Sequence, residues 1–329
     1  MREVHHLSIN SNNEAEMFSA NQVTPWHGLG TIIEGTATSQ EAIQLAKLDW
    51  QVRSAPMFAE VDAGIGYNTE ITTHVANIRT DTNAVVGIVS PKYQLFQNNE
   101  AFDFMDELVA DGKIEFHTAG ALRGGSRVWM LASLPRELFA SEGDSIKPYV
   151  LLTNSHDGSG SLRITPTTVR VVCQNTLSLA LRKQTKAEGI SIRHTGSMMT
   201  RLNEARVALG LVNEKLDQFE IELQKMVATE LTSIEAQQFF ESLIPDSTSE
   251  KAATKKREQW TENMNAPQNN VGNFHTVWSA YNAVSQQVDH QANYRGQNFS
   301  KQESRFSSTL LEGGNNMKLK AFETALQMI

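Results

Sequence analysis

A single cysteine, Cys173, stands among 329 residues. It excludes an internal disulfide and a thiolate metal cluster, and it fits a reducing compartment. No apolar run approaches the ~20 residues that a membrane span needs. The N-terminal stretch, residues 1–10, contains no hydrophobic signal segment, so cytoplasmic residence and no membrane partner are expected. The nine histidines include no HExxH pair, and no GxxxxGK[ST] loop occurs. Zincin and P-loop chemistry therefore drop out, and neither a metal nor a cofactor is expected. Aromatic residues are sparse at 7%, which limits the side chains on which nucleobases could stack.

What the chain does have is an uneven charge. Its net charge is −8, but residues 1–119 carry 6 Lys+Arg against 16 Asp+Glu, and residues 208–329 carry 11 against 15. Residues 120–207 reverse the balance, with 12 against 6. A basic centre between acidic flanks can present a positive surface to an anionic partner in spite of the total. The bland reading is a solvated face whose arginines pair with the acidic segment inside the fold.

The periodicity divides the chain into three parts. Residues 1–23 are polar and Asn/Ser-rich without a period, and read as a flexible arm. Residues 24–196 read as an α+β core. Thr38 or Ser39 caps a helix over 40–48, strands follow over 50–58, 74–79 and 84–89, and a helix over 100–110 closes the unit. Strands over 113–122 and 127–134 flank Arg123-Gly-Gly-Ser126. A second hairpin, 149–153 with 161–172, encloses the polar loop 154–160, where Asp157-Gly158 is a turn signal. Helical spacing is then expected over 174–183. Residues 197–329 read as a helical C-terminal portion. Leu202, Leu209, Leu216 and Leu223 recur every seven residues, with Ala205, Val212, Phe219 and Met226 three later, which predicts one helix over 198–229. It packs on its own sheet or forms an intermolecular coiled coil and hence a homo-oligomer. Helices follow over 234–243, 274–290 and 317–329, with a polar loop or linker over 246–270.

Several motifs occur in one order: Pro25-Trp-His-Gly-Leu-Gly30, Leu48-Asp-Trp50, Arg79-Thr-Asp81, Gln97-Asn98, Gly120 to Arg127, Leu152 to Gly158, Val169 to Thr176 and Trp278-Ser-Ala-Tyr-Asn-Ala-Val284. Together they resemble the phage/plasmid-like protein family, a domain of unknown function of phages, prophages and plasmids. The resemblance implies a role in the life of a mobile element inside a bacterial host cell. The element order from Gln40 to Ala110 is also similar to the single-strand annealing proteins. Their β-β-β-α units form curved antiparallel sheets in rings that hold DNA in a basic groove.

Single-strand binding needs cations along a groove and aromatic platforms. Arg123, Arg127, Lys147, Arg163, Arg170, Arg182, Lys183 and Arg193 supply the charge; Trp129 and Tyr149 are the aromatics nearby, and both fall in strands where core packing is the more common role. A cysteine hydrolase would need a thiolate beside a histidine with an orienting amide. Cys173, His156 or His194, and Asn175 provide those types, but Cys173 ends an apolar run where an inert buried thiol is the default. The loop 156–160 offers a backbone nest for a phosphate or an ordinary turn. These observations favour an α+β, mostly antiparallel protein that binds DNA, single-stranded by preference, without catalysis, as an annealing or recombination accessory. The alternative is a protein acting through protein–protein contacts, as a host-defence antagonist or assembly factor. A cysteine-dependent hydrolase is the third reading.

Overall fold

The computed structural model describes residues 7–20, 30–62, 66–108, 115–170, 176–177, 190–192, 198–266, 275–291 and 314–329. In chain order the elements are β1 (Met17–Ala20), β2 (Thr31–Ile33), α1 (Ser39–Leu45), β3 (Val52–Asp62), β4 (Tyr67–Arg79), β5 (Val85–Val89) and α2 (Asn98–Leu108). Next come β6 (Glu115–Leu122), β7 (Arg127–Ser133), β8 (Leu138–Ser141), β9 (Asp144–Ser155), β10 (Leu162–Arg170), β11 (Thr176–Leu177) and β12 (Ile190–Ile192). The helical portion is α3 (Met198–Ala228), α4 (Ser233–Leu243), α5 (Glu250–Asn265), α6 (Val277–Gln286) with a π-helical turn Gln287–Gln291, and α7 (Gly314–Leu326). The fold is α+β.

Among the described residues two sheets carry the β-structure. One runs β11-β10-β9-β7-β6-β1-β2, with β12 beside β10 and β8 beside β9, and is antiparallel except where β1 meets β2. The other is the antiparallel meander β3-β4-β5, closed by α2. Because side chains alternate across a strand, the large sheet has two different faces. Phe18, Phe116, Ala119, Val128, Met130, Val150, Leu152 and Ile164 join one continuous core with Ala42 and Ala46 of α1, Phe102 and Met105 of α2, Phe219 of α3 and Trp278 of α6. The opposite face holds a smaller cluster of Leu7, Met17, Leu122, Trp129, Leu131, Tyr149 and Leu151.

Capping chemistry sets several boundaries. Thr38, Thr232 and Thr276 each accept from the backbone N–H three residues on, while that residue's side chain answers the cap's own N–H. These capping boxes satisfy donors that a helix start leaves orphaned. In α3, Leu216, Phe219, Leu223 and Met226 are buried in the chain's own core, with α6 and α7 among its neighbours.

Three expectations are corrected. The N-terminal arm is not loose over 7–20: Leu7 bridges Leu122, and β1 lies between β6 and β2 with all four residues buried. Its Asn-rich stretch is a turn, in which Asn10 Oδ1 accepts from the N–H groups of Asn12 and Glu14. The polar loop near 246–270 is largely α5, a helix whose narrow stripe of Ala253, Trp260, Asn263 and Met264 is buried. The helix expected over 174–183 is contradicted at Thr176–Leu177, which pair with Val169 and Thr168 as a strand; its other residues lie outside the described ones.

Candidate nucleic-acid interface

The tips of two hairpins meet at one end of the large sheet. Arg127 of β7 stands opposite Ser155 of β9, and Arg163 of β10 stands opposite Thr153. Directly opposed residues share a face, so Arg127 and Arg163 emerge on the same side, away from the helices. Arg123 sits beside them in the β6–β7 turn. Arg123 and Arg163 are exposed and Arg127 is half-buried.

Beneath this surface lies a buried polar network. The Arg79 guanidinium is 2% exposed and spends all five of its N–H donors. Nη2 and Nη1 donate to the two carboxylate oxygens of Glu16 at 2.5 and 2.9 Å; Nε and Nη2 donate to Asp81 at 3.0 and 2.6 Å; Nη1 also reaches the Gly124 carbonyl at 3.2 Å. The guanidinium lies over the Trp50 ring, 4.1 Å from its centroid, a cation–π contact strengthened by desolvation. Burial works against the charge of Arg79, but its bonds to Glu16 and Asp81 outweigh that and leave it a stronger base than usual. Burial pushes the Asp81 carboxyl up, and the Arg79 contacts overcome this to hold it below its ordinary value. A Cβ on Gly125, where φ is +98°, would stand 3.0 Å from both Arg79 and Trp50, so the turn keeps glycine there.

His156 ties in the second hairpin. Its N–H donates to Ser126 O at 2.8 Å, its carbonyl accepts from Asn77 Nδ2 at 2.7 Å, and its Nε2 lies 3.0 Å from Asn98 Oδ1. The ring meets Trp50 edge-on, centroids 5.6 Å apart. Asn98 in turn donates to the carbonyls of Leu48 and Trp50, Asn154 donates to Phe96 O, and the Tyr93 hydroxyl donates to Ser155 O. The motif residues scattered from Leu48 to Gly158 thus converge on one place, where they clamp the meander and α2 to the hairpin tips. Glu16 and Asn77 belong to the clamp without any sequence signal. Nothing local marks a partner 63 residues away.

The remaining candidate residues fall elsewhere. Lys147 shares the face of Arg127, but it lies eight residues down β9, about 26 Å from Ser155, and pairs with Glu115 at 3.8 Å. Arg170 is in register with Ile146, at that same far end. Arg182, Lys183, Arg193, Cys173, Asn175 and His194 lie outside the described residues. His156 is fully buried with Nε2 held by Asn98, so its ring is a structural tie rather than an exposed base. Of the two readings of the loop 156–160, the ordinary turn is the one present: Asp157 accepts from Ser155 Oγ at 2.5 Å and from the Ser159 N–H at 2.8 Å. Burial raises the Asp157 carboxyl, and these bonds, with the charge of Arg127 near, bring it below its usual value.

The two aromatics pack in the core, as their strand positions suggest. Trp129 and Tyr149 are buried, at 0% and 2% exposure, and cannot stack on a base from solvent. The Tyr149 hydroxyl faces His117 Nδ1 at 3.4 Å. Burial, with the nearby charge of Lys147, depresses His117 to about 3, and burial pushes Tyr149 up. Among the described residues no three His, Cys, Asp or Glu side chains are grouped as metal ligands, and no helix is long and apolar enough to cross a membrane.

The family described as Domain of unknown function (DUF932) matches residues 85–310, from β5 to a point just before α7. Glu16, Trp50 and Arg79 precede the matched stretch. No curated protein and no solved structure matches the chain.

Proposed function

We propose that this chain, which belongs to the DUF932 family, is a non-enzymatic nucleic-acid-binding protein of a phage, prophage or plasmid. The observation that carries the reading is Arg127 and Arg163, from two hairpins, on one face of one sheet end, with exposed Arg123 in the adjoining β6–β7 turn. Arginines fixed on turns and strands suit phosphates, two of whose oxygens can accept together from the planar guanidinium fork. The clamp below them holds the hairpin tips still, so little ordering is required on binding. Motif order supports the mobile-element setting, and the β3-β4-β5-α2 unit supports an annealing or recombination role. With Trp129 and Tyr149 buried, binding rests on the phosphate backbone and not on those aromatics.

The test is retention of single- and double-stranded DNA by the purified protein across a salt series. Affinity falls linearly with salt on a log–log plot, by up to about one unit of slope per phosphate contact. Arg123→Gln with Arg127→Gln weakens binding for every base composition alike and flattens the slope by about one to two units. Absence of retention at low salt, where electrostatic binding is strongest, refutes the reading.

A further inference from the structure

The β3–β4 hairpin outgrows its sheet. β5 pairs with β4 only over Val75 to Ile78, so among the described residues Met57–Asp62 and Tyr67–Ile71 pair only with each other, as a two-stranded ribbon beyond the third strand. Such a ribbon is marginal in water unless something packs on it. It is apolar where it should be polar: Phe58 is 58% exposed and Val61 is 61% exposed. It is also acidic, with Glu60, Asp62 and Glu70 and no Lys or Arg between Arg53 and Arg79. Phe58 stands opposite Glu70 and Glu60 opposite Asn68, so one ribbon face presents an exposed aromatic ring flanked by two carboxylates. That combination is built for arginine, whose guanidinium stacks on the ring while its N–H groups pair with carboxylate oxygens.

The same molecule carries the complement. Arg123, Arg127 and Arg163 form an arginine surface at the hairpin end. We propose that the β3–β4 ribbon of one copy docks on the arginine-bearing hairpin end of a second copy. The contact is heterologous, with different surfaces on its two sides. It goes beyond the proposed nucleic-acid binding and shares one surface with it, so ribbon and nucleic acid compete there.

Sedimentation velocity of the full chain without nucleic acid, over a range of concentrations, tests this directly. Association grows with concentration at low salt and is weakened at about 0.5 M salt. Phe58→Ser weakens it, and Glu60→Lys with Glu70→Lys weakens it by at least about tenfold. Arg123→Glu with Arg127→Glu does the same from the other side. The two charge-reversed proteins, each monomeric alone and each folded by circular dichroism, associate again when mixed, because the unchanged ribbon of one meets the unchanged hairpin end of the other and the lysines meet the glutamates. A parent protein that stays monomeric at every concentration overturns the proposal, and so does a mixture that fails to associate. DNA retention is measured separately on dilute monomer, so a failure of nucleic-acid binding leaves the association result standing.

Discussion

Arg79 and Lys318 are both buried cations facing a fully buried carboxylate, and they hold different regions together by different chemistry. Lys318 of α7 meets Asp289 of the π-helical turn at 2.9 Å, joining two neighbouring pieces of the helical portion. Arg79 joins the N-terminal segment through Glu16, the β4–β5 turn through Asp81, the β6–β7 turn through the Gly124 carbonyl and the start of the meander through Trp50. A compact ammonium is a point charge, whereas a guanidinium is a fixed fork with five donors. The organiser of a many-stranded junction is therefore arginine, and that junction is where the surface arginines are displayed.

The largest expected effect comes from breaking the fork. Arg79→Met leaves Glu16 buried without its cation and lowers stability by about 3–5 kcal/mol, read by denaturant unfolding. Arg79→Lys recovers little, since one nitrogen cannot serve Glu16, Asp81 and Gly124 together. A variant as stable as the parent would show that the clamp does not hold the hairpin end.

Removing both members of each pair sharpens the contrast. Lys318→Met alone exposes the same kind of penalty, and Lys318→Met with Asp289→Leu should relieve much of it, because no uncompensated charge is then left buried. Glu16→Gln with Arg79→Met should not return so far, because Asp81, the Gly124 carbonyl and the Trp50 face still lack their partner. Equal recovery in the two double variants would erase the distinction.

A third test concerns a buried group that is neutral. His117 is held near 3 by burial, while an unfolded histidine titrates near 6.5. Between those values the unfolded chain binds the proton and the folded one does not, so stability rises with pH across the window and is lost as pH falls. From pH 7 to about pH 4 the loss from this group is about 3 kcal/mol. His117→Phe should remove that part of the acid sensitivity, compared by unfolding at both pH values; an unchanged slope would place the sensitivity elsewhere.

Local features were legible in the sequence, and distant pairings were not. The heptad of α3, the hairpin turns and the Thr38 cap are written within a few residues, so the α+β class and most elements can be read directly. α5 was hidden because only four of its 16 residues are buried and its surface charges resemble a linker; Arg257 in fact bridges Glu241 and Glu250. β1 was hidden because its short apolar run follows a polar turn and its partner Gly120 is a hundred residues on. Within the site, the basic centre was visible as composition. Only the register of β7, β9 and β10 separates Arg127 and Arg163 from Lys147 and Arg170. The burial of Tyr149 against His117 reflects a second apolar cluster that strand alternation alone does not reveal.

The smallest effects compare one capping motif in two settings. Thr38 and Thr276 both accept a hydrogen bond from the N–H three residues on. Thr38 is exposed at the start of α1, and water can replace its hydroxyl when Thr38→Ala removes it, so about 0.5–1 kcal/mol is lost. Thr276 is 5% exposed at the start of α6, a helix buried on every side from Val277 to Ser285. There Thr276→Ala strands the Ser279 N–H where solvent does not reach, and the cost rises to about 1–3 kcal/mol. Thermal unfolding of the two single variants gives the ratio. A loss at Thr38 equal to that at Thr276 would mean that burial does not amplify the cap, and that α6 is braced by its apolar neighbours alone.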